Sequence, residues 1–265
     1  MPHAPSSKPS AGKPLLYGCG VALAAALLGY ASYRATDPGH QPAVSSSAAD
    51  ATAGPAAGVV PELVKLARRD PGDKLARGRA DAPVVVIEYA DFTCSHCARF
   101  ARDTEPALVK KYVDNGTLRI EWRNFPIFGA ESEAAARAAW AAGQQDRFWQ
   151  FHAAAYAEGV KEKGFGKATL TALARQAGVA DLDRFARDAD SPAARAAVSR
   201  DQEEAYGIGA TSTPSFLING RPIVGYQPVA VFAQVIEAAV GGTGNTEDAK
   251  DTDKWPRTPA TSLLA

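Results

Sequence analysis

Hydrophobic and polar positions divide this chain into stretches of different period. Residues 15–33 carry no charged side chain and follow Lys8 and Lys13. As a helix this run would cover roughly 28 Å at about 1.5 Å per residue, close to a hydrocarbon core about 30 Å thick. Residues 35–60 are rich in Ala, Ser, Pro and Gly and offer little to bury, as a flexible tether does. Residues 61–69 predict one short amphipathic helix with Leu63, Val64 and Leu66 apolar, broken by Pro71-Gly72-Asp73. The tether is therefore expected to occupy 35–81, behind a leader at 1–34.

From residue 82 the pattern becomes that of a folded domain. The β-branched run Val84-Val85-Val86-Ile87 predicts a buried strand over 84–89. Helical spacing begins at Ser95, carries Phe100, Leu108, Val109 and Tyr112, and stops at Asn115-Gly116. Residues 118–122 alternate apolar and charged, as a second strand would. Helical character then fills 131–144, 146–157, 168–177, 181–189 and 192–206. Two short strands, 215–218 and 222–224, meet at Asn219-Gly220, a hairpin turn signal. A helix over 228–240 closes the domain, and the polar, Gly-containing tail 241–265 is expected to be disordered. The expected architecture is α/β, with a helical domain inserted at about 131–208.

Composition narrows the function. The 265 residues are 46% hydrophobic, enough for a substantial core, and their formal net charge is zero. No phosphate-tracking surface is implied, so nucleic acid is not an expected partner. Three cysteines do not make a disulfide-stapled scaffold. Cys19 reads as a small apolar residue of the leader, because most of the apolar core follows it. The leader itself fits either an uncleaved anchor touching the membrane through 15–33 or a signal peptide cut near Gly29-Tyr30-Ala31. In both cases the basic residues ahead of it send the remainder across the membrane.

The remaining two cysteines form Cys94-Ser95-His96-Cys97, between the first strand and the start of its helix. At a helix start a thiolate is favoured over a thiol, which makes Cys94 the candidate nucleophile and Cys97 the resolving thiol. A static bridge across so short a loop would remove little chain entropy, so a redox disulfide is the expectation. His96 is placed to steady negative charge on Cys94. Metal is not expected: His3, His40 and His152 are the other histidines, and position 98 is Ala, which excludes a haem-attachment motif. No cofactor is implied. Trp140, Phe148, Trp149, Phe151 and Tyr156 read as the core of the helical insert, and Lys161, Lys163 and Lys167 as a solvated loop.

Over residues 82–240 the chain resembles the DsbA-like group of thioredoxin-like proteins. The resemblance rests on Phe92-Thr93-Cys94-Ser95-His96-Cys97, on the run from Gly209 through Thr213-Pro214 to Gly220, and on Glu88, six positions before Cys94. It implies a thioredoxin-like fold and a cis Thr213-Pro214 bond facing Cys94, with the Thr213 backbone pairing with substrate. It also implies that Glu88 is a buried acid passing protons to and from Cys97. The best-known members carry Pro-His between the cysteines, whereas this chain carries Ser-His. The expected activity is thiol:disulfide interchange, oxidising cysteine pairs of exported proteins in a bacterial-type periplasm or cell envelope. A membrane partner would then reoxidise the pair. The alternatives are a reductase or isomerase with the same chemistry, or a redox-inert chaperone-like module.

Overall fold

The computed structural model describes residues 58–244. Five strands form one sheet in the order β1-β3-β2-β4-β5. They are β1 (Ala76–Arg77), β2 (Val84–Ala90), β3 (Leu118–Asn124), β4 (Ser215–Ile218) and β5 (Arg221–Val224). β2 runs parallel to β3 and antiparallel to β4, while β1 and β5 add antiparallel edges. The helices are α1 (Pro61–Val64), a helical stretch α2 over 95–113, α3 (Ala130–Gly143), α4 (Phe148–Ala155), α5 (Lys167–Gln176), α6 (Leu182–Ala189), α7 (Pro192–Gly207) and α8 (Val229–Gly244). Helices α3 to α7 lie between β3 and β4 in the chain, where the inserted block was expected. No helix among the described residues is long and apolar enough to cross a membrane. The leader at 1–34, with Cys19, and most of the expected tether and tail lie outside the described residues.

Period-two alternation assigns each central strand residue to a face. Val84, Val86 and Glu88 pair across β3 with Leu118, Ile120 and Trp122. On this face Val84, Val86, Leu118 and Ile120 pack with Phe100, Leu108, Phe232 and Ile236, so α2 and α8 cover it. Phe100, Phe216 and Phe232 meet as a trio with ring centroids 4.6–5.1 Å apart. Each such ring contributes about 1.5–3 kcal/mol on burial, and together they clamp α2 onto the sheet. The opposite face carries Val85, Ile87 and Tyr89, paired with Arg119, Glu121 and Arg123.

That second face corrects two expectations. The second strand stands where alternation placed it but runs on to Asn124, and all seven of its residues are buried, the charged ones included. Residues 60–81 cover part of this face rather than belonging to a free tether. Leu63, Leu66 and Ala67 pack on Val85, Ile87 and Leu217, and Val60 N donates to Gly220 O at 3.0 Å. The helix expected over 61–69 stops at Val64. The amides of Arg68 and Arg69 instead donate to the Glu121 carboxylate at 2.9 and 2.7 Å, and Arg69 takes a positive φ of 48°. Gly220, at φ 80°, supplies the hairpin turn beside Asn219 at φ 45°. A Cβ there would sit 2.6 Å from Val64 Cγ2, so this turn also seats α1.

α2 is continuous but not uniform. Two widened turns, Phe100–Thr104 and Val109–Val113, alternate with α-helical pieces. Pro106 has no N–H to give the preceding turn, which favours such widening. Thr104 and Glu105, adjacent in sequence, are both buried as a result.

Candidate active site

The site is assembled where β2 hands over to α2. Asp91 organises the turn. One carboxylate oxygen accepts from Thr93 N at 2.8 Å and Thr93 Oγ1 at 2.9 Å. The other accepts from Ile127 N at 2.8 Å. Thr93 has a single hydroxyl proton and gives it to Asp91, so Ser132 Oγ donates to Thr93 Oγ1 across 2.7 Å. Below the turn, Phe92 stacks on Tyr156 with centroids 5.1 Å apart, and Tyr156 Oη donates to Asp91 O at 3.0 Å. The helical insert thus props the active-site turn directly.

Cys94 occupies the position just before the first helical residue, with extended backbone, and Ala98 N donates back to its carbonyl at 3.0 Å. Cys94 and Cys97 are both free thiols and both buried, Cys94 being 5% exposed and Cys97 fully enclosed. Their acidities diverge. A hydrogen bond from Cys97 lowers Cys94 to about 5 against the opposing effect of burial, helped by the Thr213 hydroxyl and the backbone N–H groups of Cys97 and His96. Burial, followed by the neighbouring Cys94 sulfur, pushes the Cys97 thiol well above its ordinary range.

The Thr213-Pro214 bond is cis, and the loop meets Cys94, whose Sγ donates to Thr213 O at 3.3 Å. Thr213 Oγ1 is buried without a hydrogen-bond partner in this protonated arrangement. Once Cys94 loses its proton the bond to the carbonyl is lost, and the free hydroxyl becomes a donor to the thiolate. The His96 side chain is exposed, and its backbone amide is among the groups that lower Cys94. Lys161, placed in a solvated loop by sequence, reaches Ser95 Oγ at 2.5 Å beside the motif.

Glu88 is fully buried, and neither of its carboxylate oxygens has a hydrogen-bond partner. Burial, then the nearby Glu105 carboxylate, raises its pKa well above the usual carboxylate range, with Arg77 opposing. The charge of Glu88 in turn raises the Cys97 thiol. Sequence reasoning missed Glu105 and Arg77 as neighbours of this acid, and His152 beside Glu105. Two of the three could not have been found from local pattern. Arg77 arrives on a two-residue edge strand, and Glu105 is turned inward by the widened helix. Among the described residues, no three or more His, Cys, Asp or Glu side chains are grouped to hold a metal ion.

A thioredoxin family model matches residues 70–238. The chain belongs to the thioredoxin family. Among curated relatives, the probable disulfide bond formation protein D of Bacillus cereus is 30% identical over 149 residues, covering 54% of this chain and 69% of that protein. The Na(+)/H(+) antiporter NhaA 3 of Salinispora tropica is 31% identical over 208 residues, 77% of this chain. The chain spans only 30% of that antiporter's length. Among solved structures, Wolbachia pipientis alpha-DsbA1 superposes with a TM-score of 0.56 at 27% identity, covering 63% of this chain and 91% of that one. The thioredoxin-like architecture and the DsbA-like resemblance drawn from the CxxC and Thr-Pro motifs therefore stand. The matched span begins at residue 70, upstream of the boundary at 82 that sequence suggested, in line with the packing of 60–81.

Proposed function

We propose that this thioredoxin-family chain is a thiol:disulfide oxidoreductase that oxidises cysteine pairs in exported proteins. The observation that carries the reading is the split between two thiols of one motif, Cys94 at about 5 and Cys97 well above its ordinary range. A stabilised thiolate favours the reduced protein, so its disulfide becomes a strong electron acceptor. Each pKa unit is about 1.4 kcal/mol, and for this two-electron couple that energy is about 30 mV. A substrate thiolate attacks Cys94, Cys97 leaves, and a mixed disulfide forms. A second substrate thiolate then displaces Cys94 as its thiolate. The Thr213 backbone beside Cys94 serves as the edge on which an extended substrate segment pairs, and Glu88 exchanges the proton of Cys97. The kinship with the B. cereus disulfide bond formation protein supports the same direction of electron flow.

The proposed setting is the cell envelope, with the leader at 1–34 acting as anchor or signal and a membrane partner reoxidising the dithiol. Potentiometry against glutathione tests the direction: the Cys94–Cys97 couple is expected well above the thioredoxin value of about −270 mV. A potential at that value would make the chain a reductant. In the same preparation Cys97→Ser should accumulate substrate as a mixed disulfide on Cys94, because the resolving thiol is gone. Adducts on Cys97 in Cys94→Ser instead would reverse the assigned roles.

A further inference from the structure

A partly open cavity of about 610 Å³ lies between α2 and α4. Glu105, His152 and Tyr156, all buried, line it together with Arg77 and Trp149. Arg77 is half-buried and places its guanidinium 3.8 Å above the Trp149 ring. Its Nη1 lies 3.3 Å from Glu105 Oε1, without the alignment of a hydrogen bond, so that oxygen has no hydrogen-bond partner. The other Glu105 oxygen is 3.7 Å from His152 Nδ1, too far for a direct bond. His152 Nε2 is also buried and unpartnered. One buried acid with two orphaned oxygens, Glu88, is therefore followed outward by a second with one, Glu105, and then by a cavity.

The oxidoreductase reading requires a proton path to Cys97. When a substrate thiolate attacks Cys94, the S–S bond to Cys97 breaks and its electron pair stays on the Cys97 sulfur. That sulfur is enclosed and takes up a proton. Glu88 is held in its protonated form by burial and can deliver one, but it then becomes a buried carboxylate without partners and must be reprotonated. Glu105 is the next acid. Burial raises it to about 7, with Arg77 opposing, so it exchanges protons near neutrality. Burial and the Arg77 charge drop His152 to about 3, which leaves it neutral. The remaining charged groups around the cavity, Arg102, Lys110 and Asp114, lie on α2 and its C-terminal end.

We propose that Glu105 is the relay through which Glu88 exchanges its proton with the solvent of this cavity, flanked by Arg77 and His152. This rests on the oxidoreductase reading and extends it to a residue that touches no reacting sulfur. Over one turnover the substrate dithiol loses two electrons and two protons. The protein disulfide takes both electrons and one proton, which passes from Glu105 to Glu88 to Cys97. The other proton goes to solvent, because Cys94 remains a thiolate.

The test is stopped-flow reduction of the full-length oxidised protein by a model dithiol peptide between pH 5 and 9, corrected for the thiolate fraction of the peptide. The wild-type rate should fall through an inflection near pH 7, where Glu105 ionises. Glu105→Gln should lose the inflection and slow the reaction about tenfold below it, at the lower edge of general acid effects. Arg77→Gln removes the group that holds Glu105 down and should move the inflection to higher pH. A structural role for Glu105 would leave the inflection in place. An unchanged profile in Glu105→Gln overturns the relay. If that variant does not fold, an unshifted inflection in Arg77→Gln overturns it and an upward shift supports it. A wild-type protein that exchanges no disulfide at all removes the oxidoreductase reading, and the relay with it.

Discussion

The two faces of one sheet treat buried charge in opposite ways. On the face under α1 and α7, Glu121 is fully buried between Arg119 Nε at 2.9 Å and Arg123 Nη2 at 2.8 Å. It also accepts from two backbone amides. Arg123 continues to Glu204 at 3.0 Å, which accepts from Tyr89 Oη at 2.8 Å. Arg68 ties Glu204 and Asp201 of α7 to the segment ahead of β1. On the face under α2, Glu88 has no partner, and Glu105 and His152 have poor ones. A satisfied network fixes how elements pack. An unsatisfied one keeps protons mobile, at a cost in stability.

The contrast has a signature in pH. Burial alone would raise Glu121, but its hydrogen bonds from Arg68 N, Arg119 and Arg123, together with the charge of Arg123, outweigh this and hold it below 4.5. Its contribution is present above the unfolded value and lost as pH falls through the lower folded one. Glu88 and Glu105 are raised from the same 4.5. Their contribution is complete below that value and lost as pH rises through the folded pKa, near 7 for Glu105. Acid weakens one face and base weakens the other.

The largest expected effect lies on the satisfied face. Glu121→Leu leaves Arg119 and Arg123 buried without their shared anion and should cost about 3–5 kcal/mol in denaturant unfolding. A loss under about 1 kcal/mol would mean that this network does not organise the face. A smaller effect of opposite sign is expected for Glu88→Gln, which removes a buried acid that resists ionisation. It should stabilise the protein at pH 8 and change little at pH 4, while slowing disulfide exchange. Equal stabilisation at both pH values would mean that Glu88 has the same pKa in the folded and the unfolded protein. The smallest effect is expected at the surface, where Arg79 and Asp81 pair at 2.6 Å in full solvent. Arg79→Ala should leave the melting temperature unmoved, as exposed pairs contribute little.

Much of the reacting site was legible locally. The CxxC spacing, the strand before it and the Thr213-Pro214 run are contiguous features, and a strand entering a helix places Cys94 at the helix start whatever surrounds it. Glu88 was found by its spacing from Cys94, but its orphaned oxygens were not visible, because they depend on what α2 and the insert bring over it. His96 was expected to act through its ring. The turn geometry, which only the fold shows, exposes the imidazole and brings the amide to bear on Cys94. The burial of the β3 charges was not visible for the same kind of reason: alternation reports polarity, and cannot tell a solvated row from one covered by another segment carrying complementary charges.

By itself, then, the sequence determined the order of elements, the position of the insert and the placement of the CxxC motif, since these follow from short-range periodicity and spacing. Only the tertiary structure decided which charges were paired. Arg77 and Glu105 are 28 residues apart and Arg68 and Asp201 are 133 apart. Their ionisation depends on distances and desolvation set by packing, quantities that no window along the chain contains.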